Sequence, residues 1–197
     1  YLEDEDRALE AWQNALNLEP AHLPALEELR NLYARRTEYF ELSGIISRML
    51  ESEQLEPERK RDLWIEQAEI QGNMLMNPDE AINAWNNVMT LDPGIELALQ
   101  SLEELFLQEA QWDRAVDVLD LKIDRVETTE ERLEVYRQLA EICESNLMDR
   151  PRAASYYQGI LEIAPTDDDA YTALAQILQE DPEPEAVTKL IELYLGR

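Results

Sequence analysis

One histidine, His22, and one cysteine, Cys143, are all that the chain's 197 residues offer to a soft metal or to nucleophilic catalysis through those groups. A structural zinc site takes four nitrogen or sulfur ligands, so none can be assembled from this pair. A nucleophile–base–orienter triad built on histidine fails for the same shortage. His22 lies between Pro20 and Pro24, in a turn. Cys143 falls at an apolar position of a helical stretch, where a small buried hydrophobe accounts for it better than a reactive thiol does. A lone cysteine closes no internal disulfide and gives no sign of an oxidising compartment, which tilts the reading toward the cytoplasm.

Carboxylates are the abundant chemistry. Asp and Glu number 44 against 17 Lys and Arg, a formal charge of −27 with a pI near 4.2. At that density two carboxylates on one helix face carry almost no information about acid–base catalysis, and a solvated acidic face accounts for them. The run Thr166, Asp167, Asp168, Asp169 lacks the alternating ligands and the glycine of a calcium loop. Thr166 as a helix N-cap, with three carboxylates in the positive first turn, is the expectation there, at about 0.3–1 kcal/mol per favourable charge. With only five glycines and no glycine-rich phosphate loop, the sequence predicts no metal, no cofactor and no enzymatic activity. The negative surface repels nucleic acid and anionic lipid and favours basic partners. No apolar run approaches the roughly 18 residues that span a bilayer, so membrane insertion of this segment is not expected. The start, YLEDEDRAL, has neither a basic nor an apolar leader region and begins on Tyr, which reads as a piece of a longer chain.

The elements that position these groups are helices throughout. Pro stands at 20, 24, 57, 78, 93, 151, 165, 182 and 184, mostly where one apolar-periodic stretch gives way to the next. The predicted helices run roughly 5–18, 22–36, 38–53, 58–75, 79–91, 95–109, 111–126, 130–147, 150–163, 167–180 and 183–195, about eleven, successive ones antiparallel. Residues 79–106 carry a pattern that appears twice more. Shifted back by 73 (81 minus 8), Ala81, Trp85, Leu91, Pro93, Leu99, Leu102 and Phe106 fall on Ala8, Trp12, Leu18, Pro20, Leu26, Leu29 and Tyr33. Shifted forward by 72 (153 minus 81), they fall on Ala153, Tyr157, Ile163, Pro165, Tyr171, Leu174 and Leu178. A fixed period with large, small and Pro residues in one order is the mark of a solenoid, whose units bury their apolar faces against their neighbours.

Alternate helices open on Ala8, Leu42, Ala81, Ala115, Ala153 and Ala186, a spacing of 33 to 39 residues. In length and pattern the chain resembles the tetratricopeptide (TPR) family: Ala81, Trp85, Val88 and Pro93 in one helix, Leu99, Leu102 and Phe106 in the next, with Trp64, Gln67, Ala68 and Tyr136, Leu139, Ala140 in the longer units. The resemblance implies an all-α, right-handed α-solenoid of about five to six helix-turn-helix units, one continuous array over 1–197 with approximate units 1–20, 21–54, 57–92, 93–127, 130–164 and 165–197. Arg30 and Glu103 stand where the family places a small residue, so looser packing is expected at both. Long and short units alternate, as if a pair of units had been duplicated.

The resemblance also supplies candidate binding residues, since in this family the first helix of each unit lines an inner groove. By register these are Glu27, Asn31 and Arg35; Asp62, Ile65, Glu69 and Asn73; Gln100, Glu104 and Gln108; Glu134, Arg137, Glu141 and Glu144; Thr172, Gln176 and Glu180. Spacings of three, four and seven keep each set on one helical face. Glu69, Glu104 and Glu141 recur at one position, an acidic stripe. Some members of the family hold a peptide's terminal carboxylate with Lys and Asn there, and this groove has the opposite sign. The resemblance therefore implies a non-catalytic protein–protein interaction scaffold for a basic protein or peptide segment. Two alternatives stay open: the regulatory or substrate-recruiting region of a larger enzyme, and a structural subunit of an assembly. Apolar ends without caps predict self-association.

Overall fold

The computed structural model describes residues 2–180 and 189–191. Helices with short turns make up the described residues, and no strand occurs among them. They are α1 (Leu2–Leu18), α2 (Leu23–Arg36), α3 (Tyr39–Leu50), α4 (Pro57–Glu69), α5 (Pro78–Leu91), α6 (Glu96–Gln108), α7 (Trp112–Ile123), α8 (Thr129–Glu141), α9 (Arg150–Ile163) and α10 (Asp168–Glu180). The expected helix 183–195 lies outside the described residues except for 189–191, which are helical. The chain divides into two compact units, Tyr1–Leu105 and Phe106–Arg197.

In the first unit the core gathers one face of each helix. Leu16 of α1, Leu26, Leu29 and Tyr33 of α2, Leu42, Ile46 and Met49 of α3 and Leu63 of α4 are buried together, with Trp12 packed partly against them. Each aliphatic side chain buried in this way contributes about 1.5–3 kcal/mol, which is what holds short helices that would be marginal alone. Ala81 is fully buried, and a Cβ added at Gly72 would lie 3.4 Å from its Cβ, so the end of the α4 segment rests directly on α5. The position of Leu18 and Leu91 is the exception among the repeating apolar positions, 90% and 41% exposed.

The second unit repeats the arrangement. Val116 and Leu119 of α7, Val135 and Leu139 of α8, Ala153 of α9 and Ile177 of α10 form its core, while Leu174 and Leu178 pack with Tyr157, Leu161 and Leu190. Gly159 allows close approach here, since a Cβ at that position would stand 2.7 Å from the Tyr136 ring.

Helix boundaries repeat with the sequence. α3 and α7 are offset by 73 residues (112 minus 39), and α4 and α8 by 72 (129 minus 57). Both α4 and α8 run on into a π-helical turn, Ile70–Met74 and Ile142–Asn146, closed by Leu75 N–H to Ile70 C=O and Leu147 N–H to Ile142 C=O at 2.9 and 3.0 Å. The next residue but one is left-handed in each case, Met76 at φ 52° and Met148 at φ 54°. The shorter helices α2 and α6 end on left-handed Thr37 and Ala110 instead. There Glu38 N–H reaches Tyr33 C=O and Gln111 N–H reaches Phe106 C=O, the six-to-one bond of a Schellman cap made without glycine. Periodicity had extended α3 and α7 to 53 and 126, but they stop at Leu50 and Ile123.

Starts are set by local chemistry. His22 is the N-cap of α2, its Nδ1 accepting the Ala25 N–H at 3.1 Å, with Pro24 in the first turn. Thr128 and Glu131 form a reciprocal capping box at α8. At α10 the capping expectation is off by one: Asp167, not Thr166, accepts the Ala170 N–H at 2.9 Å. A carboxylate at that place serves both the orphan N–H groups and the helix dipole, which a hydroxyl cannot.

Candidate functional site

In the first unit most of the candidate groove residues are engaged with their own chain. Glu27 accepts from Arg59 Nη2 at 2.7 Å and lies 3.8 Å from Arg30. Arg30, expected to loosen the packing, instead bridges α2 to α4 through Glu66, Nε at 2.7 Å and Nη2 at 2.6 Å. A long guanidinium thus replaces close helix contact with a two-pronged ion pair. Asn31 accepts from Arg30 at 3.4 Å, and Asp62 from Arg61 at 3.0 Å. Arg35 is exposed, 4.0 Å from Glu5. Ile65 is half-buried, Glu69 and Asn73 are exposed, and Gln100 donates to Glu104 one turn on; Gln108, just past the boundary of this unit, is also exposed.

The second unit brings candidates together. Arg137, Glu141 and Glu144, spaced along one face of α8 and its π turn, line a hollow of about 330 Å³. Its other walls are Tyr157 and Ile160 of α9 and Asp167, Asp169 and Ala170 at the start of α10. Glu144 accepts the Tyr157 hydroxyl at 2.6 Å, and Arg137 Nη2 donates to Asp167 at 2.9 Å. Burial and the Glu144 carboxylate push the Tyr157 hydroxyl well above the usual phenol range, so it stays a donor. Asp167 is held below the ordinary carboxylate value, first by the Ala170 N–H and then by Arg137. The hollow therefore presents four carboxylates, one guanidinium and an apolar floor. Thr172 and Gln176 lie along α10 outside it, bonded to Asp168 C=O and Glu180; Glu180 also pairs with Arg150, and Glu134 stands 4.0 Å from Arg137.

The fold itself does not demand these charges. Counting back 72 residues, Arg137, Glu144, Tyr157, Asp167 and Asp169 correspond to Ile65, Gly72, Trp85, Ile95 and Leu97, while Glu141 corresponds to Glu69. One copy of the duplicated pair is acidic at this place and the other is nearly all apolar. The register of the resemblance supplied Arg137, Glu141 and Glu144, which the structure places around one hollow. Sequence reasoning missed Tyr157, Asp167 and Asp169 because the first had been assigned to packing and the others to the Thr166 cap; the signal was a Tyr standing where two other copies have Trp.

Outside the hollow, polar side chains also tie one helix to another. Arg152 ties Asp113 and Asp149 together at 2.9 and 2.6 Å, and the Tyr156 hydroxyl donates to Asp120 at 2.9 Å. The Cys143 thiol is buried, and desolvation pushes it up to about 11, which makes it a poor nucleophile at neutral pH. Among the described residues no three of His, Cys, Asp and Glu come together as a metal site, and no helix is long and apolar enough to cross a membrane.

No family model matches the chain, and no curated protein matches it. Solved structures do. The MamA protein is 16% identical over 87% of this chain and 88% of its own, with a TM-score of 0.46. YrrB, described as a TPR protein with an unusual peptide-binding site, is 16% identical over 87% of this chain and 84% of its own, with a TM-score of 0.49. PilF of Pseudomonas aeruginosa is 15% identical over 87% of this chain and 72% of its own, with a TM-score of 0.45. At such identities and scores the chain is similar to these proteins in its helical repeats, and the likeness carries no argument about what it binds.

Proposed function

We propose that the chain is a non-catalytic scaffold that holds a segment of another protein, and that the hollow bounded by α8, α9 and α10 receives a Lys or Arg side chain of that segment. The observation that supports this reading is the concentration of carboxylates in one concave place of one repeat copy, where the other copy keeps a single carboxylate, Glu69, among apolar residues. At about 330 Å³ the hollow is at the small end of ligand pockets, roughly 300–1,000 Å³, the size of a side chain rather than of a folded surface. Glu141 and Asp169 are exposed and line the hollow, while Glu144 is anchored by Tyr157. Tyr157 and Ile160 beneath them suit the aliphatic stem of a long basic side chain. Glu69 and Glu104 extend the same preference to the other first helices of the repeats.

An exposed ion pair contributes only about 0.2–1 kcal/mol, so several such contacts plus apolar contact with Tyr157 and Ile160 carry the affinity. Binding is then strongly salt-dependent. A fluorescently labelled Lys/Arg-rich peptide with interspersed Leu, titrated at low and at moderate salt, provides the test. Reversing Glu69, Glu104 and Glu141 to Lys should abolish binding and leave helicity and melting nearly unchanged. A reversed variant that binds the peptide as tightly as the parent at low salt would remove this reading.

A further inference from the structure

Among the described residues the buried polar side chains are Ser43, Gln67 and Gln71, exposed by only 7%, 6% and 8%. They form one cluster where α3 meets the α4 segment. Gln67 and Gln71 each donate from Nε2 to Ser43 Oγ at 2.9 Å, and Gln67 Nε2 also lies 3.3 Å from Ser47 Oγ. Gln67 Oε1 is buried with no hydrogen-bond partner. An orphaned acceptor is penalised more than a completed bond gains, so a cluster that leaves one is a poor device for stability. Nor does the architecture require it. At the corresponding places of α7 and the α8 segment stand Val116, Leu139 and Cys143, all buried and apolar.

Duplication creates a hazard that this difference removes. With helices of equal length and matching boundaries, α4 has a correct partner in α3 and a near-copy of it in α7. The same ambiguity exists between two chains. We propose that the Ser43–Gln67–Gln71 cluster is a pairing code that makes α3 and α4 select each other and reject α7 and α8. Laid on α7, α4 would bury the Gln71 amide against Val116 with no acceptor and leave Gln67 only Asp120, which stands at the place of Ser47. Laid on α3, α8 would bury the Ser43 hydroxyl against Leu139 and Cys143. Each orphaned group shifts the pairing equilibrium by about one to two orders of magnitude. A single buried polar residue fixes register in coiled coils by the same logic, at a sacrifice of stability.

The test replaces the code with apolar side chains of similar size, Ser43→Val, Gln67→Leu and Gln71→Met. Nitrogen-15-labelled and unlabelled copies are refolded together from urea, treated with a carboxylate-reactive cross-linker, and read by mass spectrometry. Links from α4 to α7, within one chain or between two, should rise at least about tenfold over the parent, with melting at or above the parent's. A second variant, Val116→Ser, Leu139→Gln and Cys143→Gln, makes both hairpins polar and should mispair in the same way although its stability moves in the opposite direction; if it does not fold, the first variant decides. A cluster that acts on stability alone would shift only melting. A folded apolar variant with the parent's cross-links overturns the proposal. So does an apolar variant that fails to fold, because the cluster would then be a structural necessity.

Discussion

Ala110 shows how much is set by single residues. Its φ of 53° lies in the left-handed region, where a Cβ is disfavoured, yet the cap at the end of α6 needs that conformation. Ala110→Gly should therefore stabilise the protein by about 0.5–1 kcal/mol, the relief of strain exceeding the extra freedom given to the unfolded chain; a urea midpoint that falls would refute the cap assignment. Asp167 offers a pH-dependent case. Its folded value is depressed by the Ala170 N–H and Arg137, so its contribution is present above the ordinary carboxylate value near 3.9 and is lost as pH falls through the folded value. Asn caps helices about as well as Asp, so Asp167→Asn isolates the charge. Because Arg137 is half exposed, the loss at pH 7 should be only about 0.3–1 kcal/mol. The gap between parent and variant should close below about pH 4, as urea titrations at both pH values would show.

Elements were legible wherever periodicity and punctuation agreed. Ala81, Trp85, Leu99, Leu102 and Phe106 are all buried where the repeat placed them, and Pro57, Pro78 and Pro151 stand in first turns. Chain ends of helices were less legible, because the four left-handed caps among the described residues use Thr, Met, Ala and Met rather than glycine and so leave no compositional mark. The π turns were invisible for a related reason: a single extra residue per turn keeps the apolar face and changes only the hydrogen bonds. The candidate site was legible along α8 and not across to α9 and α10, since spacing within a helix reports one face but not which neighbour's side chains meet it. One contact of this scale tests the register. Ala81 is fully buried against the α4 segment, whereas Glu103 of α6 is only half-buried. Ala81→Leu should cost about 1–3 kcal/mol through overpacking, and Glu103→Leu clearly less; equal urea midpoints would refute the assignment.

Across the whole molecule, charge is the property that a partner would read. Seventeen basic residues against 44 acidic ones leave a large negative excess, and many of the basic ones, among them Arg30, Arg36, Arg59, Arg61, Arg137 and Arg152, are engaged in internal ion pairs. The excess alone would attract any polycation weakly and everywhere. A built site differs by location. The measurement that separates the two is an NMR titration of the nitrogen-15-labelled protein with a short Lys/Arg peptide at moderate salt, where diffuse attraction is screened. The largest shifts should fall at Glu141, Tyr157 and Asp169, saturating together, with small changes at Asp113, Asp117 and Asp120. Shifts spread evenly over the acidic surface, or concentrated on that α7 face, would contradict it.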